Sequence, residues 1–343
     1  MEIVVVRLFR RAILTTLAGF FLFACGKPLP EKSLFDVVFD EKPVSLSIRT
    51  DFDLLTAGQK QEKWQPADIA FESASGEAYA FSGQVRPRGV FRKANCEFPP
   101  LKLKMEAKDL VQAGLRPCRS YKLVTHCRED YVYEQLLLKE FLAFKIYNIL
   151  TDRSFRVQLA NIRYEDQAAD TAATERYGFL IEDNDELALR LGGRILDEGH
   201  GDPKTIDLPQ YKIFILFQFM IGNTDWSLAN RHNVVLIQPN ETKVLMPFPV
   251  PYDFDFCGMV EAPYAIPPHH LPIASVRERF FQWRGSQDED FTDTFHLFRS
   301  KKDTVLATVS RFELLSEHSR QDVAAYLETF FEMLDDPERI VKR

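Results

Sequence analysis

The sequence predicts an α+β protein in two lobes, a β-rich first lobe holding one long helix and a mainly helical second lobe carrying a β-hairpin. Three observations predict it. Apolar residues alternate in Val44-Ser-Leu-Ser-Ile48 and strictly in Leu101-Lys-Leu-Lys-Met105, the period of half-buried strands. Residues 130–150 set Leu136, Leu137, Phe141, Phe144, Ile146 and Tyr147 on a wide apolar helix face. From residue 185 onward, helical segments dominate.

The segment 1–24 reads as an export signal rather than as structure. Arg7, Arg10 and Arg11 supply a positive start, and residues 12–23 are apolar apart from two Thr. That run is too short for a mature spanning helix, which needs about 20 apolar residues. Its ending, Leu22-Phe23-Ala24-Cys25, resembles the bacterial lipobox, which implies acylation of Cys25 and attachment to a membrane by buried CH₂ groups. An ordinary signal peptide that contains a Cys is the plainer alternative. Gly26 after the cysteine, where an Asp resembles an inner-membrane retention signal, points to the outer membrane, periplasmic or surface-facing.

Composition bounds the rest. The chain has 343 residues, 45% hydrophobic and 27% charged, which excludes collagen, low-complexity disorder and a multi-span membrane protein. Loss of three Arg and one Glu with the signal takes the net charge from −7 to −9, against a nucleic-acid partner, which calls for a basic face. Export makes the compartment oxidising. Four cysteines remain, Cys96, Cys118, Cys127 and Cys257, enough for two disulfides in three connectivities. One bridge among the first three is expected, with free buried thiols the alternative. No spacing suits zinc.

Residues 25–43 are polar, charged and proline-containing, which suits a tether. The β-rich lobe is expected over 44–184, with further strands at 78–85, 155–164 and 177–182 around the long helix. The helical lobe is expected over 185–343. It starts from an apolar, buried helix at 207–221, continues with helices at 277–283, 290–299 and 319–334, and holds a hairpin at 232–253.

Chemistry concentrates in two segments. The first, from Ile221-Gly-Asn223-Thr-Asp225 to Ala229-Asn230, leaves the buried helix as a polar loop. Phosphoryl transfer needs a carboxylate to orient the acceptor hydroxyl and an amide oxygen on the metal, and an Asp-x-x-x-x-Asn loop supplies both in Asp225 and Asn230. The second, Pro251-Tyr-Asp253-Phe-Asp255-Phe, places two carboxylates on one side of a strand end among aromatic rings. Hard carboxylate oxygens suit Mg²⁺, and unpaired carboxylates in apolar surroundings call for a cation.

Taken together, the segments resemble the spore-coat CotH-type kinases within the protein-kinase-like superfamily, with a fainter echo of HipA-type kinases. Asn223, Asp225 and Asn230 match the family's catalytic loop, and Asp253 matches its metal position. Ser227 departs from the HipA pattern, which has His there. The first half fits more loosely, through Arg86-Pro-Arg88-Gly89, the Lys102/Lys104 strand and the long helix. The resemblance implies a two-lobed protein-kinase-like fold. It also implies that Lys102 or Lys104 contacts nucleotide phosphate, held by Glu134 or else Glu140. Arg88 (or Arg86) with the Gly89 turn would handle phosphate, and the segment ending at Glu182 would border adenine.

The function so implied is an exported, lipid-anchored phosphotransferase using ATP and Mg²⁺ or Mn²⁺. Asp225 would orient the acceptor, and Asn230, Asp253 and Asp255 would hold metal. Protein, glycan and small-molecule acceptors stay open, as does AMP transfer. The alternative is a pseudokinase-like binding or assembly lipoprotein of the cell envelope without catalysis.

Overall fold

A computed structural model describes residues 30–340 apart from 119, 169–171, 197–200, 241–245, 287 and 338–339. The export signal, Cys25 and the first part of the tether lie outside the described residues. In chain order the elements are α1 (Leu34–Val38), β1 (Val44–Thr50), α2 (Phe52–Ala57), β2 (Gln65–Glu72), β3 (Ala78–Pro87), α3 (Phe91–Asn95), β4 (Leu101–Met105), α4 (Ala107–Gln112), β5 (Ser120–Val124) and α5 (Tyr131–Leu150). They continue as β6 (Val157–Asp166), β7 (Thr174–Ile181), α6 (Asn184–Arg190), β8 (Gly193–Ile195), α7 (Leu208–Ile221), β9 (Val234–Pro239), β10 (Phe248–Pro251), α8 (Thr292–Ser310) and α9 (Glu317–Leu334).

The expected two-lobed protein-kinase-like fold is not what forms. The strands of the first half close into a seven-stranded barrel in the order β1-β2-β3-β4-β5-β7-β6. Neighbours are antiparallel except at the seam, where β1 runs parallel to β6 from the pair Val44 and Ala160 to the pair Thr50 and Asp166. That pairing overturns the expectation, because it seals the sheet. Strand alternation was readable along each segment, but which strands pair over long sequence distance was not.

Alternation then dictates what fills the barrel. Leu46 and Ile48 of β1, Leu101 and Leu103 of β4 and Ile162 of β6 are buried, while Lys102 and Lys104 face outward. The segment expected to be a tether contributes to this core. Ser33 and Asp36 cap α1 reciprocally, and Leu34, Phe35 and Val38 are buried with the barrel residues.

The second hydrophobic core gathers α5, α7, α8 and α9 with the small sheet β10-β9-β8. Helices α5 and α7 are apolar nearly all round, as helices buried on every side must be. The hairpin formed where expected, by antiparallel pairing of β9 with β10. No helix forms over 277–283. That stretch is held irregularly, by Arg277 on Asp322 at 2.9 Å and Arg279 on the Met220 carbonyl at 3.0 Å.

Cys96 and Cys127 form a disulfide, while Cys118 and Cys257 are free. It binds the end of α3 to the segment before α5. The two cysteines are 31 residues apart. By loop-closure entropy, replacing both with Ser should cost about 3–4 kcal/mol of stability. Denaturant titration of the oxidised wild type beside Cys96→Ser/Cys127→Ser measures this, and equal midpoints would refute it.

Candidate functional site

Helix α7 ends at Gly222, whose φ of 67° is the left-handed conformation that terminates helices. A side chain there would also strike the Tyr326 hydroxyl, 2.1 Å from where its Cβ would sit. The chain therefore turns sharply into the polar loop. Asn223 is buried and rigid: its amide donates to Gln218 Oε1 at 3.0 Å, and its Oδ1 accepts the Asp225 N–H at 3.0 Å. That fixes the backbone of Asp225.

The Asp225 carboxylate meets two neighbours. His232 Nε2 lies 3.0 Å from Oδ1, and the Asn233 amide donates to Oδ2 at 3.1 Å. Asn233 has a φ of 56° and also holds the Asp225 carbonyl at 2.8 Å. Asn230 stands elsewhere. Paired backbone hydrogen bonds between Ser227 and His232 make a tight turn, and Asn230 is exposed on it, off the cleft. The amide beside the Asp225 carboxylate is Asn233.

Strand β10 delivers the other carboxylates. Phe254 is fully buried, with its ring 4.6 Å from Phe144 of α5 and 5.4 Å from Phe217 of α7. Asp253 before it has a φ of 65°, a strained conformation for a non-glycine residue held by its surroundings. Asp255 after it is buried and accepts a hydrogen bond from the Tyr264 hydroxyl at 3.0 Å.

These groups face a cleft of about 490 Å³ whose opposite wall is the β3–β4 connection, with Arg88, Gly89, Phe91 and Arg92. Arg88, Asp225, Asp253 and Asp255 therefore come together as expected, and Asn233, His232 and Arg92 join them.

The other expected residues do not. Lys104 points outward to Gln84 at 3.3 Å and over the Trp64 ring. Glu134 accepts the Tyr177 N–H at 3.4 Å, outside the cleft. Glu182 is buried under two guanidiniums, bonded to Arg156 at 2.9 Å and to Arg190 at 2.8 Å, so it is structural. Lys102 sits opposite Lys122 of β5, and Lys122 feels the charges of Arg88 and Asp253.

Lys122 donates to Asn184 Oδ1 at 2.9 Å and lies 4.7 Å over the Tyr252 ring. Burial, with the Arg88 charge adding, pulls its ammonium down to about 8 against the opposing pull of Asp183 and Asp253. A signal for it was present: Ser120-Tyr-Lys122-Leu-Val alternates just ahead of the long helix. No sequence signal marked Arg92, whose role depends on a fold of the connection.

Glu140 of α5, the second choice from sequence, reaches the rear of the cleft. Arg92 Nη1 lies 3.3 Å from its Oε2, and Arg92 Nε is 3.7 Å from Asp255 Oδ2. Burial raises Glu140 to about 8 despite Arg92, and burial with the Asp253 charge raises Asp255 to about 7.

No family model matches the chain, and no curated protein matches it.

A carboxyl group raised in the folded state binds more protons than in the unfolded chain, so its contribution to stability falls as pH climbs through that interval. For Glu140 the interval runs from the ordinary value of 4.5 to about 8. The stability of Glu140→Gln relative to wild type should therefore rise between pH 5 and 8. Urea unfolding at several pH values measures it, and a constant difference would refute the assignment.

Proposed function

We propose that the protein is a phosphotransferase that uses Mg-ATP, exported and held on a membrane through lipidated Cys25. The observation that carries the reading is the convergence of Asp225, Asp253, Asp255 and Arg88 from three distant segments on one cleft. It rests on the chemistry of that cleft and on the likeness of its two acidic segments to those of CotH-type chains. A shared architecture is no part of it.

The residues fit a divalent cation. Asp253 and Asp255 would hold it, and Asn233 lines the same cleft. Glu140 Oε1 is buried without a hydrogen-bond partner, and burial raises both Glu140 and Asp255, a strain that a bound cation would relieve. Among the described residues no three His, Cys, Asp or Glu side chains form a ready-made cage. Mg²⁺ needs only one or two carboxylates with substrate phosphates and water. When bound, it would neutralise phosphate charge.

Arg88 and Lys122 would bind phosphate oxygens from the barrel side. Asp225, held by Asn223 and Asn233, would orient an acceptor hydroxyl and take its proton. The hydroxyl oxygen would then bond to the γ-phosphorus as the bond to the β-phosphate oxygen breaks. His232 at Asp225 Oδ1 is placed to receive that proton onward.

A second reading, nucleotide or cation binding without catalysis, has one observation in its favour. Both Asp225 oxygens already have partners, in His232 and Asn233.

Incubation of the full chain with γ-labelled ATP and Mg²⁺ separates the two. Catalysis requires label transfer in wild type that falls by about 10²–10⁴-fold in Asp225→Ala, the usual contribution of a positioned base, and vanishes in Asp253→Ala. Thermal stabilisation by ATP without transfer would favour the binding reading, and absence of both effects would end each.

Lysine choice is tested by the same stabilisation. Lys122→Met should abolish the ATP-dependent rise in Tm while Lys104→Ala keeps it. The reverse pattern would return the role to β4.

A further inference from the structure

The cation site just proposed has a strained centre that something must hold. Asp253 adopts a left-handed φ, and Asp255 two positions on is the polar anchor of the same turn. Asp255 Oδ2 accepts the Tyr264 hydroxyl at 3.0 Å. Arg92 Nε stands 3.7 Å from the same oxygen, while its Nη1 is hydrogen-bonded to Glu140 of α5 at 3.3 Å. One planar guanidinium thus lies between two buried carboxylates from separate elements, presenting a different nitrogen to each, which the compact point charge of an ammonium does not do.

Arg92 is itself mounted on a fixed piece of chain. Helix α3 ends at Cys96, whose N–H donates to the Arg92 carbonyl at 2.8 Å and whose sulfur is bonded to Cys127. The Phe98 N–H donates to the Cys127 carbonyl at 3.2 Å, and the Phe98 ring stacks on His126 at 4.8 Å. Arg92 is buried, as are both cysteines.

We infer that Arg92, mounted by the Cys96–Cys127 disulfide, is a positioning residue that holds Asp255 and thereby Asp253 in the geometry that binds a divalent cation. The inference rests on the phosphotransferase reading only for the cation site, and touches neither nucleotide nor acceptor. Two effects of Arg92 oppose each other. Its positive charge repels a cation, while its ion pair with Asp255 orients a ligand. Side chains behind metal ligands are usually worth about 10–100-fold in affinity, so positioning should win.

The test is Mn²⁺ binding to the full chain without nucleotide, by calorimetric titration, with near-UV circular dichroism to verify native packing. Wild type should bind, and Asp253→Ala should not. Arg92→Ala should bind about 10-fold or more weakly with its spectrum retained. Arg92→Lys, which keeps the charge without the fork, should fall between them, and Cys96→Ser/Cys127→Ser should weaken binding in the same direction. Equal or tighter binding by Arg92→Ala would overturn the inference, because the lost charge would then be the whole effect. Failure of wild type to bind Mn²⁺ would remove the cation site, and this inference with it.

Discussion

The cleft hangs from one ring. Phe254 lies between Phe144 and Phe217, from the two most buried helices, at 4.6 and 5.4 Å. Burying a phenylalanine fully is worth roughly 1.5–3 kcal/mol, enough to fix the residue in place. Because it points inward, the residues on either side are driven toward the cleft. Asp253 and Asp255 are thus placed by an apolar contact that neither makes. The same helices supply Glu140 and, through Gly222, the loop of Asp225.

Such an arrangement brings four carboxylates to one end of the molecule. Asp225 and Asp253 keep contact with water, while Asp255 and Glu140 are buried, and burial raises both. By contrast Glu182, equally buried, is met by two arginines at close range and serves only to brace the end of β7 against α6. Comparing the two separates a structural buried acid from one kept short of partners.

Local patterns in the sequence carried far, and non-local pairings did not. The alternation of Leu101 to Met105, the apolar stretch of α7 and the hairpin of β9 and β10 all follow from period and turn chemistry. The acidic residues of the cleft were visible because Asp253 and Asp255 sit among aromatic residues, an expensive place for charge. Asn230 was misplaced by three positions, since the Ser227–His232 turn reverses the chain and brings Asn233 beneath Asp225 instead. Lys102 and Lys104 stood out because their strand alternates strictly, whereas Lys122 is brought beside Tyr252 only by the pairing of β5 with β7 and the packing of the later loop. The barrel itself was missed for a related reason: no residue in β1 announces that its partner is β6.

That seam has a consequence for the newly made chain. Val44 cannot find Ala160 until every strand between them has been made. Pairings at such long sequence separation form slowly, and until this one forms, β1 and β6 each present a row of unpaired backbone groups. The finished barrel has no free edge, but the barrel in the making has two. The hazard of sticking to a neighbouring chain therefore belongs to the period of folding, and ends when β6 closes on β1 and β7 fills the place between β5 and β6.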